Sequence, residues 1–294
     1  MKKIFVSLAI VLGMGTPVTS VLAINGTGLD KDGQTAIESD QANTSADAIF
    51  KLDDGTGPVI DPTDSPKVIL PDEEAKTTGQ LRINHAPTIH FGEIVIEGVH
   101  SITNGQLTKG KKDSGEIRYV PNFLQVNDTR GDSFGWTVKA NATSLIKVDS
   151  EGEAVAGVSP VVGAFISFKD MKVISASGMN NTDADLAPTV SVNDFSVAPG
   201  QENILGKKLD LVSGDELETP NQINMFEANQ SGMQGINIWS VLYGTETDAV
   251  DAANMDTEDQ IPTTDNIQLH VPAGAKKTVG NYKSTIIWEM VAAP

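Results

Sequence analysis

From Gln80 onward the chain is written in short runs that alternate apolar and polar side chains, each run cut off by Gly, Pro, Asn or Asp. A strand points successive side chains to opposite faces, so a period of two marks a half-buried β-strand, and repeated turn residues between such runs mark an all-β domain. The runs fall at 81–85, 89–98, 118–126, 134–142, 162–168, 172–176, 189–197, 237–243, 266–271 and 281–291. About ten short strands predict a β-sandwich or barrel-like domain spanning residues 80–294. Helix signals are few; 221–230 and 247–255 are each long enough for only two or three turns.

Two of these runs carry tryptophan. In the last run Tyr282, Ser284, Ile286, Trp288 and Met290 share one face, and Lys283, Thr285, Ile287, Glu289 and Val291 share the other. The Trp288 face is the more apolar and is expected to point inward. Phe134, Trp136, Val138 and Ala140 behave the same way in the earlier run, with Thr137, Lys139 and Asn141 opposite. Each Trp thus has an apolar companion two residues on. The turn-rich string NDTRGDS between 126 and 134 predicts that the runs on either side of it form a hairpin.

Before residue 80 the composition changes. Residues 24–79 hold 12 acidic and 4 basic side chains with scattered apolar ones, and only 46–52, where Ala48 and Phe50 alternate with polar neighbours, suggests a strand. Such a segment buries too little apolar surface to offset its chain entropy and is expected to be an acidic spacer or peripheral loop. Residues 1–23 read as a secretion signal: Lys2 and Lys3 precede an apolar run from Ile4 to Met14, and Val21-Leu22-Ala23 suits a signal peptidase. The apolar run is shorter than the roughly 20 residues that span a bilayer. An uncleaved amphiphilic anchor is the alternative, and no membrane insertion is expected once the signal is removed.

Charge narrows the partners. With 21 Lys and Arg against 39 Asp and Glu the net charge is −18, and removal of Lys2 and Lys3 takes it to −20. A field of that sign repels nucleic acid and anionic lipid. The absence of Cys excludes disulfides, thiolate metal sites and thiol nucleophiles.

Several motifs taken together resemble the WxL-domain surface proteins of low-GC Gram-positive bacteria. FLQVNDTRGDSFGWTVKAN is similar to the first Trp-x-Leu motif of that family with its preceding Asp-x-Arg-Gly turn. IQLHVPAGAKKTVGNYKSTIIWEMVAAP is similar to the second, and QSGMQGINIWSVLYG to a Gly-rich, Trp-containing strand between them. Neither motif keeps its Leu: the first is Trp136-Thr137-Val138 and the second Trp288-Glu289-Met290. Val and Met are apolar and of tolerable volume, so a packing role survives the exchange better than a shape-specific contact. The resemblance implies an exported protein attached non-covalently to the cell wall, with peptidoglycan as ligand, often within a complex of other surface proteins.

Glycan binding calls for a flat aromatic platform beside polar groups that hydrogen-bond hydroxyls. The motif residues Trp136, Thr137, Val138, Trp288, Glu289 and Met290 are the first candidates, and Trp239, Tyr243 and Tyr282 weaker ones. For the indoles two roles stay open, contact with ligand or organisation of the core. No cofactor or metal site is expected: the Asp248, Asp251, Asp256, Glu258, Asp259 stretch and the Asp183, Asp185 pair lack EF-hand spacing, and His85, His90, His100 and His270 lack zinc-site spacing. No nucleophile elbow, P-loop or dinucleotide motif is present, so the expected function is not enzymatic. A wall-degrading glycosidase built on two carboxylates is the rival from another class, and an adhesin bridging wall and host matrix a third reading. Arg130-Gly131-Asp132 coincides with the turn before the first motif, which accounts for it without a receptor.

Overall fold

The computed structural model describes residues 26–29, 35–39, 48–49, 51, 54–131, 134–176, 186–190, 195–197, 223–230, 234–255 and 260–292. The chain divides into two units, 1–51 and 52–294. In the first, β1 (Gly26–Leu29) pairs antiparallel with β2 (Thr35–Ser39). The expected strand at 46–52 lies largely outside the described residues, and 48–49 and 51 are not in a strand. The run 1–23 lies wholly outside them.

Among its described residues the regular structure of the second unit is β apart from short 3-10 turns, as the alternation predicts, and every strand pairing there is antiparallel. Its central sheet has the order β12 (Met171–Ser175), β16 (Asn237–Tyr243), β8 (Phe123–Asp128), β4 (Leu81–His85). A second sheet, which carries both tryptophan motifs, runs β13 (Thr189–Val190), β15 (Ile223–Ala228), β9 (Trp136–Ala142), β20 (Ile286–Ala292). A third runs β14 (Phe195–Val197), β11 (Phe165–Phe168), β18 (Thr263–Val271), β5 (Ser101–Gln106), and a fourth β17 (Val250–Asp251), β7 (Ile117–Val120), β6 (Thr108–Lys112), β3 (Ile69–Pro71). Short β10 (Ile146–Val148) pairs with β19 (Asn281–Lys283).

Alternation sorts the side chains into two cores. On the inner face of the central sheet Leu124, Val126, Trp239, Val241 and Tyr243 meet Trp136, Val138, Ala140, Met225 and Phe226 of the motif sheet and Phe168, Ile267 and Leu269 of the third. The intervening residues of the same strands, Phe123 and Leu242, face the other way and form a smaller core with Val59, Ile69, Val120 and Ile174. The central sheet is therefore covered on both faces, and all six residues of β8 are buried.

Within residues 54–79, expected as spacer or peripheral loop, Val59 and Ile69 pack onto that outer face, while 72–79 are exposed. Gln125 donates from Nε2 to the Ile60 carbonyl at 2.8 Å and to Ser240 Oγ at 2.9 Å, while its Oε1 accepts from Ile60 N at 3.0 Å and from Asn84 Nδ2 at 2.8 Å. Asn84 Nδ2 also donates to the Pro58 carbonyl at 2.7 Å. Isolated apolar residues and side-chain amides hold this stretch, which is why its hydrophobic pattern is silent.

Four local expectations are corrected. Residues 223–230 of the expected helix 221–230 contain β15, because pairing with β9 overrides the helix preference of Met, Glu and Ala. A register shift between Asn224 and Phe226 lets both Met225 and Phe226 face the core, which hides the period of two. In 247–255 only single 3-10 turns form, at Glu246–Asp248 and Ala252–Asn254, either side of β17. The run 89–98 forms no strand. Finally, β8 and β9 do not make a hairpin: the turn between them carries the chain from the central sheet to the motif sheet.

Candidate functional site

The two motif strands are neighbours. β20 pairs with β9 so that Ala292 faces Trp136, Val291 faces Thr137, Met290 faces Val138, Glu289 faces Lys139 and Trp288 faces Ala140. The terminal run is broken at Ser284–Thr285, where Ser284 Oγ donates to the Thr143 carbonyl at 2.7 Å and Thr143 Oγ1 accepts from Thr285 N at 2.8 Å. There the chain changes partner from β10 to β9 without losing its facing.

Trp136 is fully buried. Its indole meets the Phe226 ring edge-on at 4.9 Å, and Nε1 donates to the Gly235 carbonyl at 3.3 Å. Gly235 has φ +75, and a Cβ there would fall on the Ala228 Cβ and 2.7 Å from Trp136 Nε1. Only glycine fits there, so Gly235, two residues before β16, closes over the indole of Trp136.

The turn before β9 aims that side chain. Buried Asp128 accepts from Arg130 Nε at 2.9 Å and, at its other oxygen, from Arg130 NH2 at 2.7 Å. The same NH2 donates to the carbonyl of Gly135, the residue before Trp136, at 3.0 Å, and the guanidinium lies 5.1 Å over the Phe134 ring. This bidentate pair fixes the crossing between sheets. The sequence signals a turn here but not that its arginine orients the tryptophan. Arg130 of the Arg-Gly-Asp string is engaged in this pair, and Asp132 lies outside the described residues.

Trp288 is half-buried, packs on the main core and meets Phe168 edge-on at 6.1 Å; Phe168 in turn lies 5.0 Å from Tyr243. Val138 is fully buried, and Met290 packs half-buried against the same core. Trp239 is almost completely buried, with Nε1 donating to the Ile236 carbonyl at 2.8 Å, and Tyr243 is completely buried. Tyr282 packs on the core edge, its hydroxyl accepting from Thr278 N at 2.9 Å and donating to the Thr278 carbonyl at 3.0 Å. Trp136, Trp239 and Tyr243 therefore lie in the interior, while Trp288 and Tyr282 pack half-buried against it.

Thr137 and Glu289 point the other way. With Lys139, Glu227, Ile287 and Val291 they make the outer face of the motif sheet, in cross-strand rows Glu227–Thr137–Val291 and Lys139–Glu289. Ile287, Glu289 and Val291 are exposed and Thr137, Lys139 and Glu227 half-buried. Hydrogen-bonding groups thus alternate with apolar ones on one face of the sheet.

Among the described residues no three His, Asp or Glu side chains converge in a way that could hold a metal ion. His85 is buried against Phe123 while His90 pairs on the surface with Glu73 at 3.0 Å. Asp248 accepts from Thr245 N, and Asp251 pairs with Lys112 at 2.7 Å and Arg118 at 3.0 Å. Asp183, Asp185, Asp256, Glu258 and Asp259 lie outside the described residues.

A family described as "WxL domain surface cell wall-binding" matches residues 37–294. The chain belongs to the WxL family. Its match begins well before residue 80, and so takes in the stretch 54–79. No curated protein and no solved structure matches the chain. A WxL domain is a surface domain that binds cell wall, and membership places this chain at the cell surface. In this WxL domain the motif tryptophans face the core, Trp136 fully buried and Trp288 half-buried, and the intervening motif residues, Thr137 and Glu289, face outward.

Proposed function

We propose that this WxL protein is exported with residues 1–23 removed as a secretion signal and attaches non-covalently to peptidoglycan through the outer face of its motif sheet. The observation that carries the reading is the facing of the two motif strands, which turns both indoles toward the core and sets half-buried Thr137 and Lys139 and exposed Ile287, Glu289 and Val291 on the opposite face. Sugar rings present CH faces and hydroxyl edges, and stem peptides add carboxylates and amines. Ile287 and Val291 suit the former, and Thr137, Lys139 and Glu289 the latter.

The net charge, −18 for the full chain and −20 once residues 1–23 are removed, bears on the mode of binding. Gram-positive walls carry anionic polymers beside peptidoglycan, so long-range forces oppose approach and attachment rests on short-range contact. Added salt is then expected to leave attachment unchanged or to strengthen it slightly, whereas release by moderate NaCl contradicts the reading. The role is binding rather than cleavage. Co-sedimentation with purified sacculi without loss of turbidity or release of reducing ends supports it, and clearing of the sacculi supports a glycosidase instead. An adhesin would share this anchor, and binding to matrix-coated plates separates it.

A further inference from the structure

Residues 89–98 carry the alternation of a strand yet join no sheet. Ile89 and Phe91 pack against the main core, and the His90 carbonyl accepts from Gln106 N at 2.8 Å, so the chain leaves the body beside the end of β5. It returns at Ser101, where β5 begins. Between these anchors Gly92 to His100 are all exposed, and no backbone hydrogen bond joins 91–99 to another part of the described chain. Val95 is 74 % exposed and has Ile94, Ile96 and Val99, all exposed, around it in the chain. Ile102 is exposed on β5 itself, the edge strand of its sheet.

A run of exposed β-branched residues with unpaired amides is a template for another strand. Its charges say which kind. Glu93 and Glu97 bracket Ile94-Val95-Ile96. Antiparallel pairing of two copies about Val95 would set each Glu93 against a Glu97, parallel pairing in register would set like against like, and each chain brings a net charge of −18. A second copy is disfavoured in either orientation. Lys or Arg at the flanking positions of a different chain would instead face both carboxylates.

We propose that residues 93–99 are a docking strand for an extended segment of a different protein, one in which a short β-branched run is flanked by Lys or Arg. Strand addition would supply backbone hydrogen bonds for affinity, and the flanking charges would set selectivity. The site shares no residue with the motif sheet and is independent of wall attachment.

The test uses the full chain and two synthetic peptides, Thr-Lys-Val-Ile-Val-Lys-Thr and its counterpart with Glu in place of Lys, read by amide hydrogen exchange and by titration. The expected result is saturable binding of the Lys peptide with slowed exchange at 93–99, and binding of the Glu peptide at least about tenfold weaker. Val95→Pro removes one amide and is expected to weaken the Lys peptide by about tenfold, with Tm and co-sedimentation with sacculi unchanged. Equal binding of both peptides, protection confined to other residues, or insensitivity to Val95→Pro overturns the proposal. Protection already present in the isolated monomer, or arising only with protein concentration, overturns it too, in favour of the chain itself or a second copy as occupant.

Discussion

Val138 on β9 and Met290 on β20 are direct cross-strand partners. These are the two positions at which the motifs depart from Trp-x-Leu, so the departures occur as a pair in one contact and keep it apolar. Cross-strand pairs of this kind stabilise sheets by packing, and Met fills irregular space well. Met290→Leu is therefore expected to change stability by less than about 1.5 kcal/mol. Val138→Ala, at a fully buried site, is expected to cost about 2 kcal/mol. Chemical denaturation of both single variants and the double variant checks this, and strict additivity of the two effects would show that they do not form one contact.

The Asp128–Arg130 pair holds the turn that leads into β9. Arg130→Ala leaves a buried carboxylate without its cation and frees the Gly135 carbonyl, a loss expected to cost about 3 kcal/mol. Because the same pair aims Trp136, indole emission is expected to shift to the red before global unfolding. A variant with wild-type emission and stability would show that the turn holds itself.

Gly235→Ala combines a left-handed backbone with a methyl group driven into Ala228 and the Trp136 indole. The expected cost is about 3 kcal/mol. Thermal unfolding measures it, and a shift within error of wild type would contradict the lid role of Gly235.

His85 predicts an acid limit to stability. Burial, with neither ring nitrogen bonded, pushes its pKa from 6.5 down to about 4. Below 6.5 the unfolded chain takes up a proton that the folded chain refuses, so stability falls as the pH drops from 6.5 and levels off near 4. The full effect is roughly 3 kcal/mol. Half-exposed His270, also lowered to about 4 by burial and by the nearby His100 and Lys169, adds a smaller contribution of the same sign. His85→Leu is expected to flatten most of the slope of stability against pH between 6.5 and 4. An unchanged slope would show that another group carries it.

Strand patterning made the architecture legible where one residue in two faced a core. The run 237–243 is β16 end to end, and the facing of Trp288 and Met290 is as the alternation predicts. It failed where structure depends on something other than period. In β15 a bulge hides the alternation, and between β8 and β9 turn residues announce a reversal but an ion pair redirects it. In 54–79 the holding contacts are side-chain amides and two or three isolated apolar residues. The run 89–98 has a strand's pattern and no partner within the described chain. For the site, sequence located both motifs and left the role of the indoles open; it did not mark Lys139, Ile287 or Val291, because outward residues of a strand carry no pattern of their own.

The division of labour proposed for the motif sheet, indoles inward to the core and the outer face to the wall, is open to direct test. The direct measurement is co-sedimentation with intact sacculi, paired with Tm, for Lys139→Ala combined with Glu289→Ala and separately for Trp288→Phe. The outer-face variant is expected to keep its Tm within a few degrees and no longer to sediment with sacculi, while Trp288→Phe loses binding only to the extent that it loses stability. A Trp288→Phe protein of wild-type Tm that ignores sacculi, beside an outer-face variant that still binds, would contradict it.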